Sequence, residues 1–266
     1  THEEGRIYGL GSNDAGGSVV SLISAYRYLE MEPLPYNMLL AISAEEEVMG
    51  EHGMRALLPT LGHIDMALVG EPTGMQAAVG ERGLVVMDCT AHGIRGHAAR
   101  NEGVNALYKA MEDIERIRGY RFERTSPLLG DIKMTVTQIS AGTQHNVVPD
   151  VCKYVVDVRS NECYSNKEIV EIISANVKSE VKPRSVRLNS SSIGLDHPLV
   201  QRAVEFGRKP FGSPTLSNQA LINNVPCLKM GPGESSRSHT ANEYIKISEI
   251  KEGMELFLKL LDGLTL

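Results

Sequence analysis

No run of basic residues occurs in this sequence. Its formal charge of −6 comes from 33 acidic and 27 basic side chains, the basic ones scattered along the chain. No footprint for a phosphate backbone or an anionic bilayer exists, so nucleic acid is excluded as a partner. No stretch approaches the roughly 18 consecutive apolar residues of a membrane-spanning helix, and membrane insertion is excluded with it. Cysteine is sparse: Cys89, Cys152, Cys163 and Cys227 form no Cys-x-x-Cys pair for a thiolate metal site. They read as reduced packing residues of a soluble, cytoplasmic protein. The opening Thr1-His2-Glu3-Glu4-Gly5 has neither an initiating Met nor the apolar core of a signal peptide, and runs straight into the strand-like Arg6-Ile7-Tyr8. It reads as a fragment that begins within a domain. A Gly-x-Ser-x-Gly elbow is absent, which disfavours a serine hydrolase. The Gly9-x-Gly11 pair has Asp14 where a dinucleotide loop needs its third glycine, which disfavours a Rossmann enzyme.

What is present alternates in texture along the chain. Val19, Val20, Leu22, Ile23 and Tyr26 recur at helical spacing across residues 17–29, and 38–42 and 64–69 are continuous apolar runs. Strands without polar alternation suit a sheet covered on both faces, which places chemistry in the loops at the strand ends. From about residue 82 the pattern changes. Strands are expected at 84–90, 132–139 and 152–159, helices at 104–117 and 167–177, and a last strand at 185–188. This strand–helix–strand–strand–helix–strand order is that of a split βαβ unit with its helices on one face. After Asn189-Ser190-Ser191-Ser192 the first texture returns, with a helix at 198–206, a strand at 226–230 and a terminal helix at 247–261. The expected fold class is therefore α/β, with residues 1–82 and 192–266 forming one discontinuous domain and 83–191 an inserted α+β lid.

Three acidic sites follow apolar strands and are flanked by small or turn residues. They are Asp14 in Gly11-Ser12-Asn13-Asp14-Ala15-Gly16-Gly17, the run Glu45-Glu46-Glu47, and Glu71 in Val69-Gly70-Glu71-Pro72. Singly, such carboxylates usually cap helices or face water; Asp14 could be an N-cap and Glu45-Glu46-Glu47 a solvated helix start. A fourth element is His239, in the glycine- and serine-rich loop that follows Met230. Three carboxylate sites and an imidazole, all in sheet-end loops of one core, make an oxygen and nitrogen donor set that suits Zn²⁺, with Mn²⁺ or Co²⁺ as substitutes. Adjacent Glu46 and Glu47 can serve one centre only through an irregular turn.

These segments, with Gly93-Ile94-Arg95-Gly96-His97-Ala98, Asn146-Val147-Val148-Pro149-Asp150, Asp157-Val158-Arg159 and Ser238-His239-Thr240, resemble the acetylornithine deacetylase, succinyl-diaminopimelate desuccinylase and aminoacylase family of dinuclear zinc hydrolases. The resemblance covers essentially the whole chain. It implies a zinc-exopeptidase-like catalytic domain, its central sheet flanked by helices, with an inserted ferredoxin-like lid that also dimerises. Asp14 would bridge two zinc ions, Glu71 bind the first, and Glu47 with His239 the second. Glu46 would be the general base, taking a proton from water and giving it to the departing amine. His97 would reach the neighbouring subunit's site and stabilise the oxyanion, which makes the enzyme a homodimer built through its lids. Arg159 and Asn146, with Arg82, would hold a substrate carboxylate. The bland alternative for Arg159 is a salt bridge to Asp157, against which stands the opposite orientation of neighbours on a strand.

The implied activity is hydrolysis of the amide bond of an N-acyl amino acid, with N-acetyl-L-ornithine or N-succinyl-ornithine favoured, a step of arginine biosynthesis. Succinyl-diaminopimelate desuccinylase and di- or carboxypeptidase activities are the alternatives within the family. Two departures from the family's pattern stand out. The His-x-Asp motif of the first metal is not found upstream of Asp14, since His2 lacks the following Asp. Asn218 stands where an acidic residue is expected, which would weaken a contact that orients a ligand. A non-catalytic dimeric remnant is accordingly the reading from a different class.

Overall fold

The computed structural model describes residues 2–222 and 225–265. The chain divides into two compact units, Thr1–Glu81 with Ser191–Leu266, and Arg82–Ser190. Together they make a mixed α/β protein.

In the first unit, strands Ala67–Val69 and Cys227–Lys229 run parallel and in register, Val69 opposite Lys229. Strand Ala77–Glu81 continues the sheet through the pair Lys229↔Ala78, and Pro210–Ser213 and Ser191–Ser192 pair with it in turn. Parallel neighbours open their C-terminal ends to the same side. The loop leaving Val69 carries Glu71 and the loop leaving Lys229 leads to His239, so one edge of the sheet gathers both. Helix Gly17–Leu29 packs on the terminal helix Ile247–Leu261. Its buried face is Gly17, Ser18, Ser21, Ala25 and Leu29, while Val20 and Tyr28 are exposed. The residues expected to carry the helical pattern, Val19, Val20, Leu22, Ile23 and Tyr26, are none of them buried. Close approach decides otherwise: a Cβ on Gly17 would stand 2.1 Å from Ile245 Cδ1, and the Ser21 hydroxyl donates to Ile250 O at 3.1 Å.

Two strand expectations shift. Residues 38–42 belong to no strand, with Leu39 and Ile42 exposed. An apolar run becomes a strand only beside a partner, and none of the described strands lies against it. The run 64–69 contributes only Ala67–Val69.

The second unit is a four-stranded antiparallel sheet in the order Glu180–Pro183, Gly83–His92, Val151–Ser160, Lys133–Ala141. Helices Ala106–Gly119 and Asn166–Asn176 cover one face, giving the ferredoxin-like arrangement. Alternation along Gly83–His92 buries Val85, Met87, Cys89 and Ala91 against Val156, Val158, Ile169 and Ile173. The last strand lies earlier than residues 185–188, because Val181 is the residue that pairs with Cys89 and carries the alternation onward. Local signals set the helix starts. Asn105 accepts from Leu107 and Tyr108 N–H, and Ser165 with Glu168 forms a capping box. All four cysteines are free thiols, and Cys89, Cys152 and Cys227 are buried.

Candidate metal centre

Asp14 sits in an irregular turn, Ser12–Gly16, closed by Gly16 N–H donating to Gly11 O at 2.9 Å. A Cβ on Gly16 would lie 2.4 Å from that carbonyl, so only glycine closes the turn so tightly. Glu46 and Glu47 occupy a single 3₁₀ turn, Glu46–Val48, flanked by Glu45 and Met49 at φ of 56° and 47°. His239 is also left-handed, at φ of 58°. Left-handed non-glycine residues store roughly 1–3 kcal/mol each, and such strain concentrates at functional sites. The sharp turn brings Glu47 to His239 and leaves Glu46 half-buried. Glu45 points away, accepting from His52 N–H at 3.0 Å.

His239 Nε2 lies 3.6 Å from Asp14 Oδ2 and 3.6 Å from Glu47 Oε2. One donor atom of each residue falls within 4.8 Å of the others. Tetrahedral ligands about 2.0–2.1 Å from a zinc ion stand roughly 3.4 Å apart, so the three converge at a separation a cation can bridge. Glu46 and Glu71 complete the group electrostatically. Burial, then repulsion by Glu47, Asp14 and Glu81, pushes the Glu46 carboxyl up to about 7. Burial, then repulsion by Glu46 and Asp14, holds Glu71 well above the usual carboxylate range, and a hydrogen bond with the Asp14 side chain adds to this. Four carboxylates facing one another in a partly buried pocket call for more positive charge than Lys229, which pulls both glutamates downward, supplies. The donor set therefore fits a divalent cation.

The remaining expected residues lie in the second unit. His97 pairs across a short ribbon with Val147, and Ala98 N–H donates to Asn146 O at 2.9 Å, so His97 and Asn146 are neighbours. His97 Nδ1 accepts from Ala99 N–H at 3.1 Å, which puts the proton of the neutral ring on the exposed Nε2. Arg159 is held by Asp157 in a two-pronged bridge of 2.8 and 3.1 Å. The objection raised from strand geometry fails, because residues two apart share a face. Arg82 donates to the carbonyls of Asp131, Arg159 and Leu129, and so clamps backbone. His2 lies in the strand His2–Glu3 opposite Ile7, apart from the Asp14, Glu47 and His239 group. Asn218 donates to Ser43 Oγ at 3.2 Å, just before the acidic turn.

Sequence reasoning missed the residues that brace this centre. Asn13 and Glu243 are buried at 0% and 3% exposure, and both bind the Asp14 turn or the His239 loop. Lys229 and Glu81 form a buried ion pair at 2.9 Å. A signal for Lys229 existed, as the lone charge in the apolar run 225–230.

Carboxylates and an imidazole thus converge at the strand ends of a mixed sheet, a donor set that fits a divalent cation. The chain belongs to Peptidase family M20/M25/M40, whose model matches residues 1–263. It is 28% identical over 188 residues to the succinyl-diaminopimelate desuccinylase of Paracoccus denitrificans (strain Pd 1222), an alignment covering 65% of this chain and 49% of that protein. Succinyl-diaminopimelate desuccinylase 2 of Ruegeria sp. (strain TM1040) is 24% identical, over 93% of this chain and 69% of its own length. The chain thus spans about half of the first relative. Among solved structures, aminopeptidase PepT from Bacillus cereus ATCC 10987 superposes with a TM-score of 0.77 at 19% identity, over 98% of this chain and 75% of that one, and shares its fold. No helix among the described residues is long and apolar enough to cross a membrane.

Proposed function

We propose that this protein hydrolyses the amide bond of a small N-acyl amino acid, with an N-succinyl diamino acid as its substrate class. The carrying observation is the convergence of Asp14, Glu47 and His239 beside the half-buried Glu46. Asp14, with Glu71 on one side and Glu47 and His239 on the other, would hold two divalent cations, zinc by the chemistry of the donors. When bound, zinc supplies Lewis acidity toward the amide carbonyl and lowers the pKa of water. Glu46 takes the proton from water and delivers it to the leaving nitrogen, a shuttle open to a carboxylate beside the cation site.

The first unit is then the catalytic domain and the second a lid that also pairs two copies. His97, as an Nε2–H donor, serves the oxyanion of the partner copy. Asn146 and Arg159 bind a substrate carboxylate, for which Arg159 exchanges Asp157 for the ligand in a like-for-like geometry. Arg82, with its donors already on three carbonyls, positions Arg159 through its backbone. Both relatives named above are desuccinylases, which favours a succinyl substrate over N-acetylornithine and weakens the case for a role in arginine biosynthesis.

The deciding experiment is metal-loaded hydrolysis of N-succinyl-diaminopimelate, N-succinylornithine, N-acetylornithine and a set of di- and tripeptides, with the Glu46→Gln variant alongside. The expected result is the highest kcat/KM on a succinyl substrate, and loss of turnover in Glu46→Gln at unchanged metal content. Cleavage of peptides alone would reassign the substrate class. Metal-loaded protein inert toward every amide would favour the non-catalytic reading.

A further inference from the structure

Two polar side chains beside the metal centre are buried and committed to backbone. Asn13 spends its carboxamide on the loop that carries His239. Its Nδ2 donates to Glu234 O at 3.0 Å and Ser238 Oγ at 3.3 Å, and its Oδ1 accepts from Glu234 N–H at 3.1 Å. The loop is shaped to receive it: Gly233 lies at φ of 88°, and a Cβ there would stand 2.3 Å from Asn13 Oδ1. Glu243, four residues beyond His239, reaches back in the opposite sense. Its Oε1 accepts from Asn13 N–H at 2.8 Å and Asp14 N–H at 3.0 Å, and its Oε2 from Gly11 N–H at 3.1 Å. Gly9 N–H donates to Glu243 O at 3.1 Å.

The two segments are therefore stitched in both directions, immediately before Asp14 on one strand of chain and on either side of His239 on the other. We propose that Asn13 and Glu243 form a clasp that sets the Asp14–His239 separation before any cation arrives. They are positioning residues: neither reaches the cation, and each acts through a ligand. The inference rests on the reading of Asp14 and His239 as ligands. Its physical content is preorganisation. Without the clasp, two loops must be immobilised at the moment of binding, and the entropy of ordering them is subtracted from the affinity.

Glu243→Gln is the sharpest probe, since it preserves size but turns one acceptor oxygen into an NH₂ that faces either Gly11 N–H or the Asn13 and Asp14 N–H pair. Asn13→Asp keeps the acceptor for Glu234 N–H and deletes both donors. Zinc affinity is measured by competition with a chromophoric chelator, and the ligand field by the absorption spectrum of the cobalt-substituted protein. His239→Ala is the ligand control, and melting of the metal-free variants monitors the fold.

Loss of about 10- to 100-fold in zinc affinity, the usual effect of removing groups that orient metal ligands, is expected in Asn13→Asp and Glu243→Gln, with an altered cobalt spectrum. If both bind zinc like the parent while His239→Ala does not, the clasp is overturned and the ligand assignment stands. If His239→Ala itself binds like the parent, the ligand assignment falls and takes the clasp with it. Should Asn13→Asp fail to fold, the near-isosteric Glu243→Gln decides alone: parental affinity overturns the proposal, and weakened affinity at parental melting temperature supports it.

Discussion

Replacing Lys229 by Met tests how the acidic centre is supported from behind. Lys229 and Glu81 have side chains only 2% and 0% exposed, and the Lys229 Nζ donates to Glu81 Oε2 at 2.9 Å and Thr215 O at 2.8 Å. Glu81 keeps the Ser217 N–H at 3.2 Å and hydroxyl at 2.7 Å when the ammonium is gone. Neutral donors of this kind do not replace an ammonium beside a buried carboxylate. Removing one partner of a buried pair costs about 3–5 kcal/mol, a large share of the roughly 5–15 kcal/mol that holds a domain together. At about 2–4 °C per kcal/mol for a protein of this size, the melting temperature falls by about 6–20 °C. The double variant Lys229→Met with Glu81→Gln regains more than half of the loss, because the neutral amide still accepts from Ser217. Zinc affinity at neutral pH falls in the single variant as well, since Lys229 pulls the Glu46 and Glu71 carboxyls downward and its loss leaves them more protonated. Heat and urea unfolding followed by circular dichroism measure the first effect and chelator competition the second. A Lys229→Met protein as stable as the parent, or a double variant no better than the single, would refute the account.

Gly231→Ala should disturb the centre from the Glu71 side, because its Cβ would meet Ser18 Oγ at 2.1 Å and Glu71 O at 2.5 Å; about 1–3 kcal/mol of overpacking and weaker metal binding are expected, read by melting and titration. In the second unit, Asp113 is fully buried and accepts from Lys178 N–H and from the N–H and hydroxyl of Ser179. Asp113→Ala orphans those donors and should destabilise by about 2 kcal/mol or more, with no change in zinc affinity; an unchanged denaturation midpoint would count against it. Burial raises the Glu249 carboxyl, yet the Arg237 fork at 2.7 and 2.8 Å and the Lys246 N–H outweigh it, so the net shift is downward. A depressed carboxylate adds stability above its ordinary value of 4.5 and loses it as pH falls through the lowered one. Glu249→Gln should therefore flatten the acid limb of the stability–pH curve, and an unaltered limb would show the pair to be inert. His97→Ala should lower kcat with metal content intact, and mixing it with Glu46→Gln subunits should restore activity if sites are shared between copies; no recovery despite proven subunit exchange would exclude sharing.

Much of this protein is written locally. Asp14, Glu46, Glu47, Glu71 and His239 are legible because each stands among turn residues after an apolar run, and covalent sequence fixes that neighbourhood. Helix starts at Asn105 and Ser165 follow from capping chemistry confined to a few residues. The alternation in 83–92 and 151–160 likewise reports a sheet with one buried face.

Local pattern thus reports the order of the elements and a candidate donor set for a metal ion. Tertiary structure decided the rest, because the deciding partners are remote in the chain. Residues 38–42 have strand composition, but pairing needs a neighbour that no local pattern supplies. Arg82 finds carbonyls at 129 and 131 that only folding brings near. Asn13 and Glu243 are 230 positions apart, and Lys229 and Glu81 are 148 apart. A hydrogen bond or ion pair acts over about 3 Å, so its existence depends on which distant segments the core packs together.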